Sequence, residues 1–170
     1  MVKDKVKEII LLKCGEIALK GLNKSGFEDS LLQNCRRRIC DLGEFHYWKS
    51  QSTLYIEPLD EGIDLDETVA RLQKVFGIVA LTRACGAGKN FPDLAEAAKI
   101  YLADILPKCR TFKVEAKRSD KSFPMTSPEI SRELGGILLD RFPHLKVDVN
   151  RPDIVVMVEI RERAAYIHGN

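Results

Sequence analysis

The sequence predicts an α+β protein made of two small units, and three observations support this prediction. Strand-like and helix-like segments alternate through residues 6–85 in the order strand, helix, strand, strand, helix, strand. A short stretch containing two glycines, 86–90, then interrupts the pattern. A second series of helices and strands follows, and 170 residues are enough for two small domains. We therefore expect domains at 1–86 and 87–170.

The first unit has the element order βαββαβ of a ferredoxin-like fold. The apolar run from Ile9 to Leu12 predicts a strand buried on both faces. Asp64 followed by Glu67 is a helix-start signal, and the helical spacing places Phe76 on the buried face of that helix. The predicted elements are strand 6–14, helix 25–42, strands 44–49 and 52–57 with Gln51 near their turn, helix 66–76 and strand 78–85.

The second unit mixes helices and strands in an α/β pattern. In its first strand the alternation turns Phe112, Val114 and Ala116 inward and the charged residues between them outward. The following helix has two possible starts: Ser127 as cap with Pro128 in first position, or Thr126 paired with Glu129 in a capping box. The predicted elements are helix 92–105, strand 110–117, helix 128–142 and strands 146–149, 154–160 and 164–168.

Composition excludes several classes of protein. Hydrophobic residues make up 45% of the chain and charged residues 31%, as in a packed globular domain with a wet surface. No apolar run approaches the roughly 20 residues that span a bilayer, and the run Ile9–Leu12 is too short for a secretion signal. We expect a cytoplasmic protein with no membrane partner.

Charge is unevenly distributed although the net charge is only +2. Residues 57–67 are acidic and residues 108–121 are basic. A nearly neutral chain with this pattern can still present a local face that binds anions.

The basic loop after strand 110–117 is the best candidate site. Lys117, Arg118 and Lys121 precede a helix N-terminus, where free N–H groups and the helix dipole favour phosphate. Phe123 could stack on a base, and Arg132 in the following helix joins the candidate RNA-binding set. The alternative is a solvated loop whose charges only keep the domain soluble.

Two further basic segments are weaker candidates. Lys20 and Lys24 lie in the first loop near Gly21 and Gly26, which could let the backbone approach a phosphate. The alternative for them is a flexible turn. The run Arg36–Arg38 lies on a predicted helix, where it is either an RNA contact or ordinary surface.

No catalytic or metal-binding residues are identified. Five cysteines without a C-x-x-C pair and three scattered histidines do not match a zinc site or a triad. Gly88-Lys89 lacks the remaining residues of a phosphate loop. Cys14 is either a reactive thiol near Lys13 and Lys20 or, more simply, a packed strand-end cysteine.

Several motifs occur in an order that resembles the tRNA 4-thiouridine sulfurtransferases, the ThiI family. They are Lys13-Cys14-Gly15-Glu16 with Leu19-Lys20-Gly21, then Phe27-Glu28 and Leu31, Val75-Phe76-Gly77-Ile78, Phe112-Lys113-Val114-Glu115-Ala116-Lys117-Arg118, Leu134-Gly135-Gly136 and Asn150-Arg151-Pro152-Asp153. They cover nearly the whole chain. A tyrosine is common in the family where Cys14 stands, which is a mild departure.

This resemblance implies an N-terminal ferredoxin-like domain followed by a THUMP domain that binds tRNA. It implies recognition of the acceptor 3′ CCA end and ATP-dependent thiolation of uridine 8, with a cysteine desulfurase supplying sulfur and a possible homodimer. Family members also take part in thiazole supply for thiamine. The family's Ser-Gly-Gly-x-Asp-Ser nucleotide loop is not matched in this sequence. We therefore expect this chain alone to bind tRNA without a cofactor and to be non-catalytic, with ATP belonging to another domain of a parent sulfurtransferase.

Two alternatives remain open at this point. The chain could be the THUMP module of another RNA-modifying enzyme, such as a methyltransferase. It could also be a ferredoxin-like regulatory domain that binds a small ligand. The motif at residues 13–28 favours the sulfurtransferase over the methyltransferase.

Overall fold

The computed structural model describes residues 7–14 and 24–169, without the side chains of Lys24, Ser25 and Val79. The elements are β1 (Lys7–Cys14), α1 (Lys24–Ile39), β2 (Phe45–Ser50), β3 (Thr53–Pro58), α2 (Leu65–Leu72), β4 (Ile78–Ala87), α3 (Phe91–Tyr101), β5 (Thr111–Arg118), α4 (Ser127–Arg141), β6 (Lys146–Val147), β7 (Ile154–Ile160) and β8 (Ala165–Gly169). The predicted α+β class and element order are confirmed. The chain forms two compact units, Glu8–Arg83 and the residues from Ala84 onward.

The first unit is the ferredoxin-like fold. Its strands lie in the order β2-β3-β1-β4, and β3 is antiparallel to both β1 and β2. One apolar cluster joins α1 and α2 to alternate residues of β1 and β3, among them Leu12, Leu31, Leu54 and Leu72. Both helices therefore cover the same face of the sheet, as a βαββαβ order requires.

The turn between β2 and β3 lies where the sequence placed it. Gln51 and Ser52 have φ of 49° and 65°. Positive φ at both central residues gives a two-residue hairpin whose twist matches that of the strands. The start of α2 is also as expected, because the Asp64 side chain accepts a hydrogen bond from the Glu67 N–H at 3.1 Å.

The expected burial of Phe76 is wrong. The helix ends at Leu72, and the N–H of Val75 bonds to the carbonyl of Leu72 at 3.0 Å in a tighter turn. Such a turn advances the chain by more than 100° per residue, so Val75 faces the core at 6% exposure and Phe76 is 93% exposed.

The second unit arranges its strands in the order β8-β7-β5-β6. The strands β5, β6 and β7 are parallel, whereas β8 is antiparallel to β7 and to Cys85–Ala87 of β4. The core lies between this sheet and the helices α3 and α4 and includes Leu94, Phe112, Leu134 and Val158. Strand β6 is shorter than the expected 146–149, since only Lys146 and Val147 pair with β5.

Helix α4 begins with the capping box. The Thr126 hydroxyl accepts from the Glu129 N–H at 3.3 Å, and the Glu129 carboxylate accepts from the Thr126 N–H at 2.9 Å. Of the two starts that the sequence allowed, the pairing of Thr126 with Glu129 is the one that forms, and Pro128 lies in the first turn, where no N–H is needed. Among the described residues, no helix has the length and apolarity needed to cross a bilayer.

Candidate nucleic-acid interface

A groove of about 550 Å³ lies beside α4 in the second unit. One wall is α4, and the other comprises β5, β6 and the residues that follow β6. Val147 and Val149 leave 54% and 64% of their surface exposed here. The lining residues are Phe112, Lys113, Val114, Pro128, Ser131, Arg132, Gly135, Gly136, Leu139, Val147 and Val149. An open groove with apolar walls suits the flat face of a base or a similar group.

Helix α4 presents bare backbone to the groove. A Cβ added to Gly135 or Gly136 would meet no atom within 4 Å, so open space lies above both residues. Two glycines inside a helix cost roughly 1 kcal/mol each relative to alanine. The capping box helps to offset this cost. The pair therefore lets a ligand approach the helix closely.

Two cations line the groove. The Arg132 side chain is 70% exposed, and its nearest carboxylate, on Glu133, lies 3.9 Å away. Lys113 Nζ pairs with Glu115 Oε1 at 2.8 Å and lies 3.4 Å from the Val149 carbonyl. Arg132 belongs to the sequence-predicted set, whereas Lys113 was missed. The sequence pattern placed Lys113 on the outward side of the predicted strand, but it did not show that a groove lies there.

Arg118 lies on the helix-covered side of β5. Its Nη1 donates to the Phe123 carbonyl at 3.2 Å. The pKa of Glu129 is lowered, first by its bonds to Thr126 and then by the positive charges of Arg132 and Arg118. Arg118 and Arg132 therefore act on the same carboxylate at the start of α4.

Lys117 lies on the other face of β5. It alternates with Arg118 along the strand, and its cross-strand partner is Glu159. Glu115, on the same face, has a lowered pKa, mainly because of Lys113 and to a small extent because of Lys117. Lys117 is not among the residues that line the groove with Arg132, whereas Lys113, on the same face of β5, lines it and reaches the Val149 carbonyl.

Lys121 is exposed in a braced loop. The Asp120 carboxylate pairs with Lys89 and accepts two hydrogen bonds from Ser122, from N at 3.0 Å and from Oγ at 2.6 Å. These contacts lower the pKa of Asp120 well below its usual range, the Lys89 bond most of all. The loop therefore projects the Lys121 ammonium into solvent from a fixed base.

The expectation that Phe123 stacks on a base is wrong. Its side chain is only 5% exposed and belongs to the core cluster under α3 and α4. The loop folds back so that this ring is removed from water, and a ring in the core cannot meet a base.

The first-loop lysines are only partly within the described chain. Lys20 lies outside the described residues, and Lys24 is the first residue of α1 but its side chain is not described. The nearby Arg36, Arg37 and Arg38 are all exposed. Arg36 sits over the Tyr47 ring with 4.7 Å to the centroid. This contact fixes one cation of the helix at the surface.

Two cysteines of the first unit, Cys14 and Cys35, have the features of packing residues, whereas Cys40 is exposed. Cys14 is 7% exposed and Cys35 is fully buried. Burial, and secondarily the neighbouring Cys14, raises the pKa of Cys35 to about 12. Within the described ranges, no three side chains of the histidine, cysteine, aspartate or glutamate type are grouped to hold a metal ion.

The fold defines an α+β protein that is divided into two units. The family model of the THUMP domain matches residues 88–168 of this chain, and the family model of the ThiI ferredoxin-like domain matches residues 9–82. The chain is thus a ThiI-type protein in which these two domains follow one another, which confirms the family inferred from the sequence motifs.

Named relatives agree with this assignment. A probable tRNA sulfurtransferase of Acetivibrio thermocellus is 46% identical over 159 residues, which is 92% of this chain and 41% of that protein. A probable tRNA sulfurtransferase of Thermoanaerobacter pseudethanolicus is 42% identical over 164 residues, which is 96% of this chain and 42% of that protein. The chain therefore spans about two fifths of the length of these relatives.

Solved structures show the same fold. A 4-thiouridine synthetase crystallised as an RNA complex with bound ATP superposes with a TM-score of 0.82 at 31% identity, over 96% of this chain and 41% of that one. PH1313 from Pyrococcus horikoshii superposes with a TM-score of 0.80 at 25% identity, over 96% of this chain and 54% of that one.

Proposed function

We propose that this chain is the tRNA-binding portion of a tRNA 4-thiouridine synthase. Its THUMP domain receives the 3′ CCA end of the acceptor arm in the groove beside α4. Holding that end positions uridine 8 for thiolation by a catalytic domain of the parent protein outside these 170 residues.

The groove is the observation that carries the proposal. It combines apolar walls at Val147 and Val149 with exposed cationic Arg132 and bare helix backbone at Gly135 and Gly136. Single-stranded RNA presents base faces and phosphates in alternation, and a groove with both apolar and cationic surfaces complements both. The RNA complex of the similar 4-thiouridine synthetase supports RNA as the ligand class.

The first test is a filter-binding titration of this chain with tRNA at two salt concentrations. If lysines and arginines neutralise phosphates, the affinity falls steeply with salt, with a logarithmic slope of about −0.7 to −0.9 per contact. A flat response would instead favour the ferredoxin-like ligand-binding alternative.

The second test compares two arginines of the same helix. Arg132 lines the groove, whereas Arg141 lies nine residues later, half a turn away around α4, and stacks over Phe142. Arg132→Ala should lower tRNA affinity and reduce the salt slope by about one contact. Arg141→Ala should leave both unchanged, and equal losses would remove the groove from the interface.

The third test removes the 3′ CCA from the tRNA. If the groove holds this end, trimming lowers the affinity of wild-type protein and abolishes the difference between wild type and Arg132→Ala. An unchanged affinity would rule out recognition of the 3′ end.

The remaining parts of the reaction are assigned to the parent protein. Adenylation by ATP belongs to its nucleotide-binding domain, since no Ser-Gly-Gly-x-Asp-Ser loop occurs here. A cysteine desulfurase as sulfur donor and a homodimer complete the proposal. Co-purification and light scattering of the full-length protein test these two partners.

A further inference from the structure

Strand β6 ends before its sequence pattern does. Lys146 and Val147 pair with Thr111 and Phe112 of β5, whereas the alternation of apolar side chains continues to Val149. Beyond Phe112, no strand of the described residues pairs with β5 on the β6 side. The segment after Val147 therefore leaves an edge of β5 that its own pattern would allow it to occupy.

A turn holds this segment away from β5. The Asp148 carboxylate accepts from the N–H groups of Asn150 and Arg151, each at 3.0 Å, as in a turn closed by an aspartate side chain. Lys113 Nζ lies 3.4 Å from the Val149 carbonyl. Val149 is left 64% exposed. The departure from β5 is thus stabilised by one carboxylate and one lysine contact.

The backbone of Val114 points toward the unoccupied side of β5. The Phe112 carbonyl accepts from the Asp148 N–H at 3.0 Å on the β6 side. The Thr111 carbonyl accepts from the Asp153 N–H at 3.1 Å on the β7 side. Because this direction alternates along a strand, the N–H and the carbonyl of Val114 point the same way as those of Phe112.

Two further residues of β6 would pair with these groups. In the register that β6 already has, its continuation places Val149 beside Val114. The Val114 N–H then donates to the Asp148 carbonyl, and the Val114 carbonyl accepts from the Asn150 N–H. The Asn150 N–H thus exchanges one acceptor for another, the Asp148 carboxylate for the Val114 carbonyl.

The side chains suit the extended strand. On the helix-covered face, the continuation directs Val149 toward Gly135 and Gly136, above which space is open. On the other face it places Asp148 beside Lys113, and opposite charges on neighbouring strands attract. The extension therefore covers apolar surface and pairs charges without a change of sequence register.

The connection to β7 is long enough for this extension. Five residues lead from Val149 to Ile154, and five residues span up to about 17 Å. Strands β6 and β7 flank β5, so they lie two strand spacings apart, about 10 Å. Ile154 can therefore stay beside Phe112 while β6 lengthens.

We propose that residues 148–150 form a strap that exchanges between the turn at Asp148 and a two-residue extension of β6. The extended strap closes the groove beside α4 from within, because Val149 then covers Gly135 and Gly136. The strap is a conformational equilibrium of this unit, and only its effect on RNA rests on the proposed function. Under that function, the closed strap and RNA exclude one another.

Amide hydrogen exchange followed by NMR tests the strap. Asp148→Ala removes the acceptor that closes the turn, so the Val114 amide should exchange about tenfold more slowly than in wild type. Asp148→Asn keeps a side-chain oxygen for the same bonds and should behave like wild type. The Glu115 amide points to β7 and should stay protected in every folded variant.

A double variant tests the bond that closes the strap. Asn150→Pro deletes the N–H that the Val114 carbonyl would accept. Added to Asp148→Ala, it should return the Val114 amide to the exchange rate of wild type. If Asp148→Ala does not fold, Asp148→Ser gives the same test with a smaller slowing, because a serine hydroxyl holds such a turn more weakly.

Filter binding of tRNA to the same proteins separates the strap from the proposed function. Asp148→Ala should bind tRNA more weakly, and the double variant should recover. Slower exchange at Val114 with unchanged tRNA affinity would support the strap and count against the groove as the RNA site. If the Val114 amide exchanges equally fast in wild type and Asp148→Ala while Glu115 stays protected, the strap is overturned whatever the tRNA result.

Discussion

The Arg118 guanidinium donates from Nη1 to the carbonyl of Phe123 at 3.2 Å, across a loop that sequence reasoning treated as an open surface. The Phe123 N–H also lies 3.4 Å from the Asp120 carbonyl. Together these contacts close the loop over its own aromatic residue. The loop between β5 and α4 therefore contributes a core residue as well as surface charge.

This closure predicts a contrast between two phenylalanines. Phe123→Ala should lower the free energy of unfolding by about 3–5 kcal/mol, since the ring is in the core at 5% exposure. Phe76→Ala should change it by less than about 0.5 kcal/mol, since that ring is 93% exposed. Urea unfolding followed by circular dichroism measures both. Equal losses would show that Phe123 does not occupy the core.

The two glycines of α4 predict a conflict between stability and binding. Gly136→Ala should raise the free energy of unfolding by about 0.5–1 kcal/mol, because alanine favours the helix and its Cβ meets no atom within 4 Å. The same methyl group enters the groove, so tRNA affinity should fall. Urea titration and filter binding on one preparation provide the two readouts. If the Gly136→Ala variant is more stable and binds tRNA as tightly as wild type, RNA does not bind in the groove beside α4.

A buried carboxylate on the β7–β8 hairpin predicts acid sensitivity. Glu159 accepts from Arg161 at 2.6 Å and lies 3.0 Å from His168 Nε2. The His168 contact first, and then Arg161, lower the pKa of Glu159 from 4.5 to about 2. Because the folded pKa lies below the unfolded one, the stabilisation is present above about pH 4.5 and is lost as the pH falls toward 2.

Glu159→Gln should therefore reduce stability at pH 7 by up to about 3 kcal/mol, and the deficit should shrink as the pH falls below 4.5. Glu162→Gln is the control, because Glu162 is exposed in the same hairpin. Urea unfolding at pH 7, 4 and 3 measures the difference from wild type at each pH. A deficit that does not change with pH would mean that the carboxylate acts through packing alone.

Thiol chemistry should distinguish the cysteines. Cys40 is exposed, whereas Cys14 and Cys35 are buried, and the pKa of Cys35 is raised to about 12. Iodoacetamide at pH 8 should modify Cys40 well before the two buried residues, since the thiolate is the reactive form. Mass spectrometry of digests follows each site, with urea-unfolded protein as the reference for full reactivity. Early modification of Cys14 would instead support the hypothesis that Cys14 is a reactive thiol.

Sequence patterns predicted local structure well because the causes are local. The helix starts at Asp64 and Thr126 depend on residues three positions away, and both caps form. The alternation in β5 places Phe112 in the core and Lys113 on the opposite face of the strand. The failures lie where a helix end or a loop meets distant residues. Phe76 was expected in the core and is exposed because a tight turn follows α2. Phe123 was expected at the surface and is buried because its loop folds back onto the core.

The candidate site was only partly accessible to sequence reasoning. The basic stretch that ends at Lys121 was visible as composition, and Arg132 was identified within the next helix. The strand period, however, separates Lys117 from Arg118 onto opposite faces, so adjacency in sequence did not mean one surface. Lys113 lines the groove because β6 stops after Val147, and no local signal specifies where a neighbouring strand ends.

The sequence by itself determined the two-unit α+β order, the helix caps and the family resemblance, because these follow from short-range periodicity and motifs. Only the tertiary structure decided that a groove opens beside Gly135 and Gly136 and that the β5 edge is unfilled. Both features depend on the packing of segments that are distant in the sequence. Such packing is driven by the burial of apolar surface, which is a property of the whole domain.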